Sequence, residues 1–316
     1  MNILLTGATG FVGSRLAERL AATAGIEVTS AVRKPDVSLP GRVAVVEGLD
    51  VGTDWSAALV GQQVVIHAAA RAHIMQDEVA DPLAEYRRVN VEGSLKLARQ
   101  AAEAGVKRFV YISSIKVNGE QTQPGQPFTA EGQPAPEDAY GVSKLEAEQA
   151  LQKLAAEMGL ELVIIRPPLV YGPGVKANFA AMMNLASKNL PLPLGSINNQ
   201  RSLVALDNLV DLIVTCIDHP AAANQVFLVS DGQDVSTSEL LRMMTLATGK
   251  NPRLLPFPAA GLKLVAGMLG KKAIADRLCG SLQVDSSKAR DLLGWQPVVT
   301  MDEALRQAMA SSDTKR

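Results

Sequence analysis

The residues best spaced for proton chemistry are Tyr140 and Lys144, in YGVSK. Four residues apart on a helix, both side chains leave the same face. A phenol titrates at about 10 in isolation and is a poor acid–base group at neutral pH. An ammonium beside it favours the phenolate and brings that value down. The spacing alone also suits an ordinary surface pair. One strand earlier, YISSIKVNG closes an apolar run with two hydroxyls, Ser113 and Ser114. Strand alternation sends them to opposite faces and leaves open which one faces a site.

A second group is suited to holding an anion. TGATGFVG sets Gly7, Gly10 and Gly13 after the first β-branched run and at the start of helical periodicity, which Phe11 and Val12 open. The backbone must turn tightly at the first glycine and approach a pyrophosphate at the second. At the third it packs helix against strand, with the helix N-terminus toward the phosphate. Placed after an N-terminal strand, this G-x-x-G-x-x-G spacing is a dinucleotide fingerprint. About 20 residues beyond the last glycine such folds usually carry an acid for the ribose. Here SAVRKPD supplies Arg33 and Lys34; Glu27 comes too early, and Asp36 is late and follows Pro35. A basic pair can embrace a 2′-phosphate. That points to NADP(H), with NAD(H) as the alternative; a solvated turn also accommodates both residues.

The elements that must position these groups alternate strand and helix. Strands are expected over 2–6, 27–32, 43–47, 64–68, 108–113 and 162–166, and helices over 11–24, 82–104 and 138–158. Runs such as VVIHAA and RFVYIS are almost continuously apolar, as in strands covered on both faces. After Pro167 the texture turns Pro- and Gly-rich, with helices expected over 176–189, 236–248 and 301–310 and a late strand near 226–231. The expected fold is α/β: a doubly wound Rossmann-type parallel sheet over residues 1–166, and a smaller, interleaved substrate lobe over 167–316 that returns the late strand to the sheet.

Jointly, TGATGFVG, YISSIKVNG, YGVSK, RVNVEGS, RPPLVYGPG and DSSKARDLLGWQP resemble the extended short-chain dehydrogenase/reductase family, which includes nucleotide-sugar epimerases, dehydratases and ketoreductases. The resemblance implies a catalytic Tyr140 and Lys144, with the register of Val117 and Gly119 assigning the substrate-bonding hydroxyl to Ser114. It places Ala68, Ala69 and Ala70 of HAAA beneath the cofactor, Asp50 and Val51 at its adenine, and Asn90 as a support of the active-site region. In the second lobe it assigns Arg201, with Asp207 in register, to a nucleotide-sugar diphosphate, and Asn178 to a contact with the substrate. Arg277 is a further diphosphate candidate, and Arg71 and His73 are candidates for the sugar end. Family members often pair through two helices, so a homodimer through 82–104 and 138–158 is expected.

A dehydratase of the family carries an acid pair just after the catalytic hydroxyl; Ile115 and Lys116 stand there instead. What remains is a C4 reductase or a C4 epimerase. The absent ribose acid favours an NADP(H)-dependent reductase acting on a UDP-activated 4-keto-6-deoxy hexose, as in surface-polysaccharide biosynthesis. The alternative is a UDP-hexose 4-epimerase with tightly held NAD; a non-catalytic NADP-sensing regulator is the remaining reading.

Composition narrows the partners. The 316 residues are 47% hydrophobic and 20% charged with formal net charge −1, which gives a sizeable core and no overall electrostatic footprint for nucleic acid or an anionic membrane. Net charge says nothing about local clusters. Cys216 and Cys279 are spaced for neither a metal site nor a disulfide framework, so no metal is expected. AAGLKLVAGML is apolar but too short to span a bilayer; a lobe, dimer or interfacial helix are its readings. NILLTG begins without a basic n-region, and a cytoplasmic enzyme is expected.

Overall fold

Alternation along the first strand, β1 (Asn2–Thr6), explains the layering. Ile3 and Leu5 join one buried cluster with Leu16, Leu20, Val210 and Ile213, while Leu4 joins Trp55, Val65, Phe109 and Leu151 on the other face. A strand apolar on both faces needs helices on both. Phe11–Ala21 and Leu206–Thr215 cover one face, Ser94–Glu103 and Ala139–Met158 the other. Each fully buried Leu or Phe in these layers contributes about 1.5–3 kcal/mol of burial free energy.

The computed structural model describes residues 1–35, 37–71, 81–123, 125–268 and 270–313. The further strands are β2 (Glu27–Val32), β3 (Arg42–Val45), β4 (Val64–His67), β5 (Arg108–Ile112), β6 (Glu161–Arg166), β7 (Leu169–Tyr171), β8 (Leu203–Ala205) and β9 (Gln225–Leu228). Seven form one parallel sheet in the order β3-β2-β1-β4-β5-β6-β9, and β7 and β8 make a separate parallel pair. The chain runs outward from β1 to β3, then restarts at β4 on the other side. That reversal opens a crevice beyond the carboxyl ends of β1 and β4, where ligands of such sheets bind.

A third cluster, including Tyr171, Phe179, Met183, Leu203, Met244 and Leu305, lies among helices Ala177–Lys188, Thr237–Ala247 and Met301–Asp313. Two features of the second half reach back to the sheet. β9 pairs with β6, and Arg15 on the first helix bonds Asp207 at 2.6 Å.

The seven strands of the main sheet lie within a few residues of the expected ones, whereas β7 and β8 were not expected. The helix expected over 82–104 differs in kind. It runs Pro82–Tyr86, then π-helical Arg87–Gly93, then Ser94–Glu103. Two side-chain choices make room for the wide turn. A Cβ on Gly93 would stand 2.7 Å from the Leu49 carbonyl oxygen, and Asn90 spends its amide on the backbone of Arg71. Such bulges concentrate at functional sites. Helix Leu206–Thr215 was not among the expected elements; its first residues, LDNLVD, enter only as part of the motif around Arg201 and Asp207. Among the described residues no helix is long and apolar enough to cross a membrane.

Candidate active site

The helix carrying Tyr140 and Lys144 is fixed at its first turn. Asp138 is the N-cap, and its carboxylate accepts from the Gly141 N–H at 2.7 Å. Lys116 donates to the same Asp138 carboxylate and to Glu120 at 2.9 Å, so the residue in the dehydratase acid position serves as a tie to this helix. A Cβ on Gly141 would meet the Lys116 carbonyl oxygen at 2.8 Å; glycine there lets the helix start against the turn that follows β5.

Lys144 is buried, and its Nζ donates to the Tyr111 hydroxyl at 3.1 Å and the Ile112 carbonyl at 2.8 Å. Burial brings its ammonium down to about 7, with Glu148 acting in the opposite direction. Tyr140 is half-buried, its ring edge-on to Tyr86 at 5.9 Å between centroids. Burial, Asp138 and Tyr86 all push its phenol above the usual value. The expected lowering by Lys144 is therefore not a property of the protein alone. The amine spends its hydrogen bonds on Tyr111 and Ile112, and burial opposes a phenolate.

The two serines resolve as alternation requires. Ser113 is buried and donates to Glu148. Ser114 stays half-buried at the strand end, and its Oγ accepts from the Lys116 N–H at 3.3 Å. Asn90, in the π-helical turn, donates to Ser143 Oγ at 3.1 Å, and Ser143 in turn donates to the Tyr140 carbonyl at 2.8 Å. The bulge thus grips the helix at the residue that carries the phenol.

The glycine loop fits a dinucleotide phosphate. A Cβ on Gly7 would stand 2.6 Å from the Ala69 N, and one on Gly13 would stand 2.0 Å from the Gly7 carbonyl oxygen. Only glycines let β1, the loop, the Ala68–Ala69 backbone and the helix approach this closely. Gly7 also has φ of +76°, where a side chain is strained. The helix that Phe11 and Val12 open has no side-chain cap and no acid in its first turn. Its leading N–H groups face no competing carboxylate there. Ala70 is half-buried beyond β4. Asp50 accepts from the Gly52 N–H at 3.0 Å and from Arg88 at 3.3 Å, and Val51 is exposed. Arg33 and Lys34 lie exposed just beyond β2, the neighbour of β1.

The second lobe places its candidates less tightly. Asn178 is exposed in the first turn of helix Ala177–Lys188. Arg201 is half-buried and its Nη1 donates to the carbonyls of Arg277 at 3.0 Å and Gly280 at 3.1 Å. Asp207 serves the Arg15 bond. Arg71 sets its guanidinium 5.7 Å from the Tyr86 ring centroid, which places it near the Tyr140 pair. His73 and Asp36 lie outside the described residues.

Two buried networks beneath the site escaped the sequence reading. One joins Lys144 to Tyr111, while His67 lies 2.7 Å from Thr6 Oγ1 and 2.9 Å from Ser94 Oγ and stacks on Tyr111. Burial brings His67 down to about 3, with Lys144 adding to the effect. The other pairs Glu148 with Arg166 at 2.5 Å, and Arg166 also donates to Asn118 at 3.1 Å. Glu148 sits four residues after Lys144, the one spacing that could have flagged it.

Comparison with known proteins agrees with this architecture. Residues 3–230 match the NAD dependent epimerase/dehydratase family. The chain is 54% identical over 307 residues, 97% of its length and 94% of the relative's, to a UDP-glucose 4-epimerase of Vibrio cholerae. In fold it is similar to the UDP-glucuronic acid 4-epimerase of Bacillus cereus solved with NAD (TM-score 0.78, 21% identity, covering 100% of this chain and 99% of that one). It is likewise similar to the UDP-glucose 4-epimerase of Thermotoga maritima solved with UDP-glucose (TM-score 0.77, 22% identity, 100% and 99%). With a Rossmann-type sheet, a glycine loop and a Tyr–Lys helix in place, the chain belongs to the NAD dependent epimerase/dehydratase family of extended short-chain enzymes.

Proposed function

We propose that the chain is a UDP-hexose 4-epimerase. One geometric observation carries the reading: the fixed helix start that sets half-buried Tyr140 beside buried Lys144 at the end of β5, with Ile115 and Lys116 where a dehydratase needs acids. Lys116 is bound to Asp138 and Glu120, so it is committed to structure. That leaves chemistry at C4 alone. The relative at 54% identity favours epimerisation over the net reduction expected from the sequence.

Gly7, Gly10, Phe11, Val12 and Gly13 would hold the dinucleotide pyrophosphate, with Ala68, Ala69 and Ala70 along its other side and Asp50 and Val51 at the adenine end. A bound nicotinamide supplies the acceptor and donor of hydride at C4. Tyr140, as its phenolate, takes the 4-hydroxyl proton as the C4 hydrogen leaves, becoming the phenol, and returns the proton when the hydrogen is delivered to the opposite face. Ser114 bonds the 4-oxygen and holds it within reach of the phenol. Lys144, when charged, stabilises the phenolate that Tyr140 must be before it can take that proton. Arg201 and Asn178 would hold the diphosphate, leaving the sugar free to turn over.

A second reading rests on Arg33 and Lys34. They are exposed where a ribose acid ordinarily stands, and a C4 reductase drawing NADPH from the cellular pool would use them. The two readings separate in one assay. Given UDP-glucose or UDP-N-acetylglucosamine, the epimerase yields the C4 epimer with no lasting change in reduced-nicotinamide absorbance. The reductase consumes NADPH in proportion to a 4-keto-6-deoxy sugar. A cytoplasmic homodimer is part of the proposal, and sedimentation velocity checks its assembly.

A further inference from the structure

The segment AAGLKLVAGM was apolar without being long, and its place in the fold gives it a use. Helix Ala259–Met268 buries none of its residues and folds back on helix Lys272–Cys279. Gly270, at φ +68°, makes the turn, and Lys271 N–H bonds the Ala266 carbonyl at 2.7 Å. Lys263 and Asp276 tie the two helices at 3.5 Å. Leu264 is 63% exposed, Val265 47%, Met268 74% and Ile274 55%. Leu264 and Met268 are one helical turn apart and share a face. Val265 and Ile274, with Leu194, Leu262 and Leu278, line an apolar cavity of about 220 Å³. An apolar surface of this kind normally acquires a partner.

Charge selects which partner. The two helices and their turn hold four basic residues, Lys263, Lys271, Lys272 and Arg277, against one acid, Asp276, in a chain whose formal net charge is −1. Lys271 and Lys272 are exposed at the turn beside Met268. A second copy on this face would set like charges against one another in a symmetric contact, which costs association. An anionic lipid surface takes both features at once: apolar side chains enter the headgroup–acyl boundary, and lysines meet phosphate. We propose that helices Ala259–Met268 and Lys272–Cys279 dock the protein on an anionic bilayer. Because the carbonyls of Arg277 and Gly280 hold Arg201, the docked hairpin sets the substrate lobe at the membrane surface.

The test is co-sedimentation of the full chain with vesicles of phosphatidylcholine alone and of phosphatidylcholine with phosphatidylglycerol. The expected result is several-fold more protein on the anionic vesicles, falling as salt is raised. Leu264→Asp with Met268→Asp should abolish that binding, and Lys271→Glu with Lys272→Glu should reduce it several-fold. All variants should keep the wild-type circular dichroism and sugar turnover, since these side chains are exposed. Equal sedimentation with both vesicle types, none with either, or undiminished binding by Leu264→Asp with Met268→Asp overturns the proposal. So does a wild-type dimer that this same pair of changes dissociates without vesicles, which would make a second copy the occupant.

Discussion

At Lys144, burial and hydrogen bonding pull against each other. Burial sets the ammonium near 7, and the Tyr111 hydroxyl and Ile112 carbonyl offer it acceptors. Removing the hydroxyl with Tyr111→Phe withdraws support from the charged form. The alkaline limb of the kcat/KM profile should then move to lower pH, while Km for the dinucleotide changes little; an unmoved limb means Tyr111 only fills space. A different residue-scale choice concerns the cofactor. Arg33→Asp should weaken NADP binding more than NAD binding, measured by titrating reduced-cofactor fluorescence. Equal loss, or none, returns Arg33 and Lys34 to a surface turn and removes the observation behind the reductase reading.

Among elements, helix Ala139–Met158 decides whether the site exists. Asp138 caps it, Lys116 and Asn90 hold its first turns, and Glu148 anchors its middle to Arg166 on β6. Both members of that ion pair are buried, so removing one strands the other. Glu148→Ala should cost about 3–5 kcal/mol in urea unfolding; a cost below about 1 kcal/mol would mean that water reaches Arg166. Much of this scale was legible beforehand. VVIHAA and RFVYIS announce doubly covered strands because they are almost continuously apolar, and the glycine loop announces itself because only glycine tolerates its contacts. The rest was hidden for physical reasons. A π-helical turn inserts one residue into a pattern whose apolar positions still look α-helical, as in RRVNVEG. Tyr111 read as strand core because the partner of its hydroxyl, Lys144, lies on a helix far along the chain. Glu148 and Arg166 were not singled out as a pair because nothing local shows that a folded layer will cover them. Arg201 matched its motif, yet one of its nitrogens serves two carbonyls that no motif encodes.

Across the whole molecule, the second half of the chain is joined to the first by the pairing of β9 with β6 and by the Arg15–Asp207 bond, so it and the crevice are positioned together. His67 lies at the centre of this arrangement, neutral and fully buried. Its folded value of about 3 is below the ordinary 6.5, so the unfolded chain takes up a proton first as pH falls. The stability it contributes is complete above 6.5 and is lost progressively toward 3. The melting temperature should fall across that window, and more shallowly in a folded His67→Asn variant; parallel curves would assign the acid sensitivity elsewhere. On the proposed function, a fixed helix, a placed phenol and a held diphosphate must coincide at C4. The most direct measurement follows UDP-glucose by NMR and the nicotinamide band by absorbance, for the wild type and Tyr140→Phe. The wild type should form the C4 epimer without lasting cofactor reduction. Tyr140→Phe should bind dinucleotide as before and lose at least about a hundredfold in turnover. Turnover retained in Tyr140→Phe would contradict the assignment of proton transfer at C4 to Tyr140.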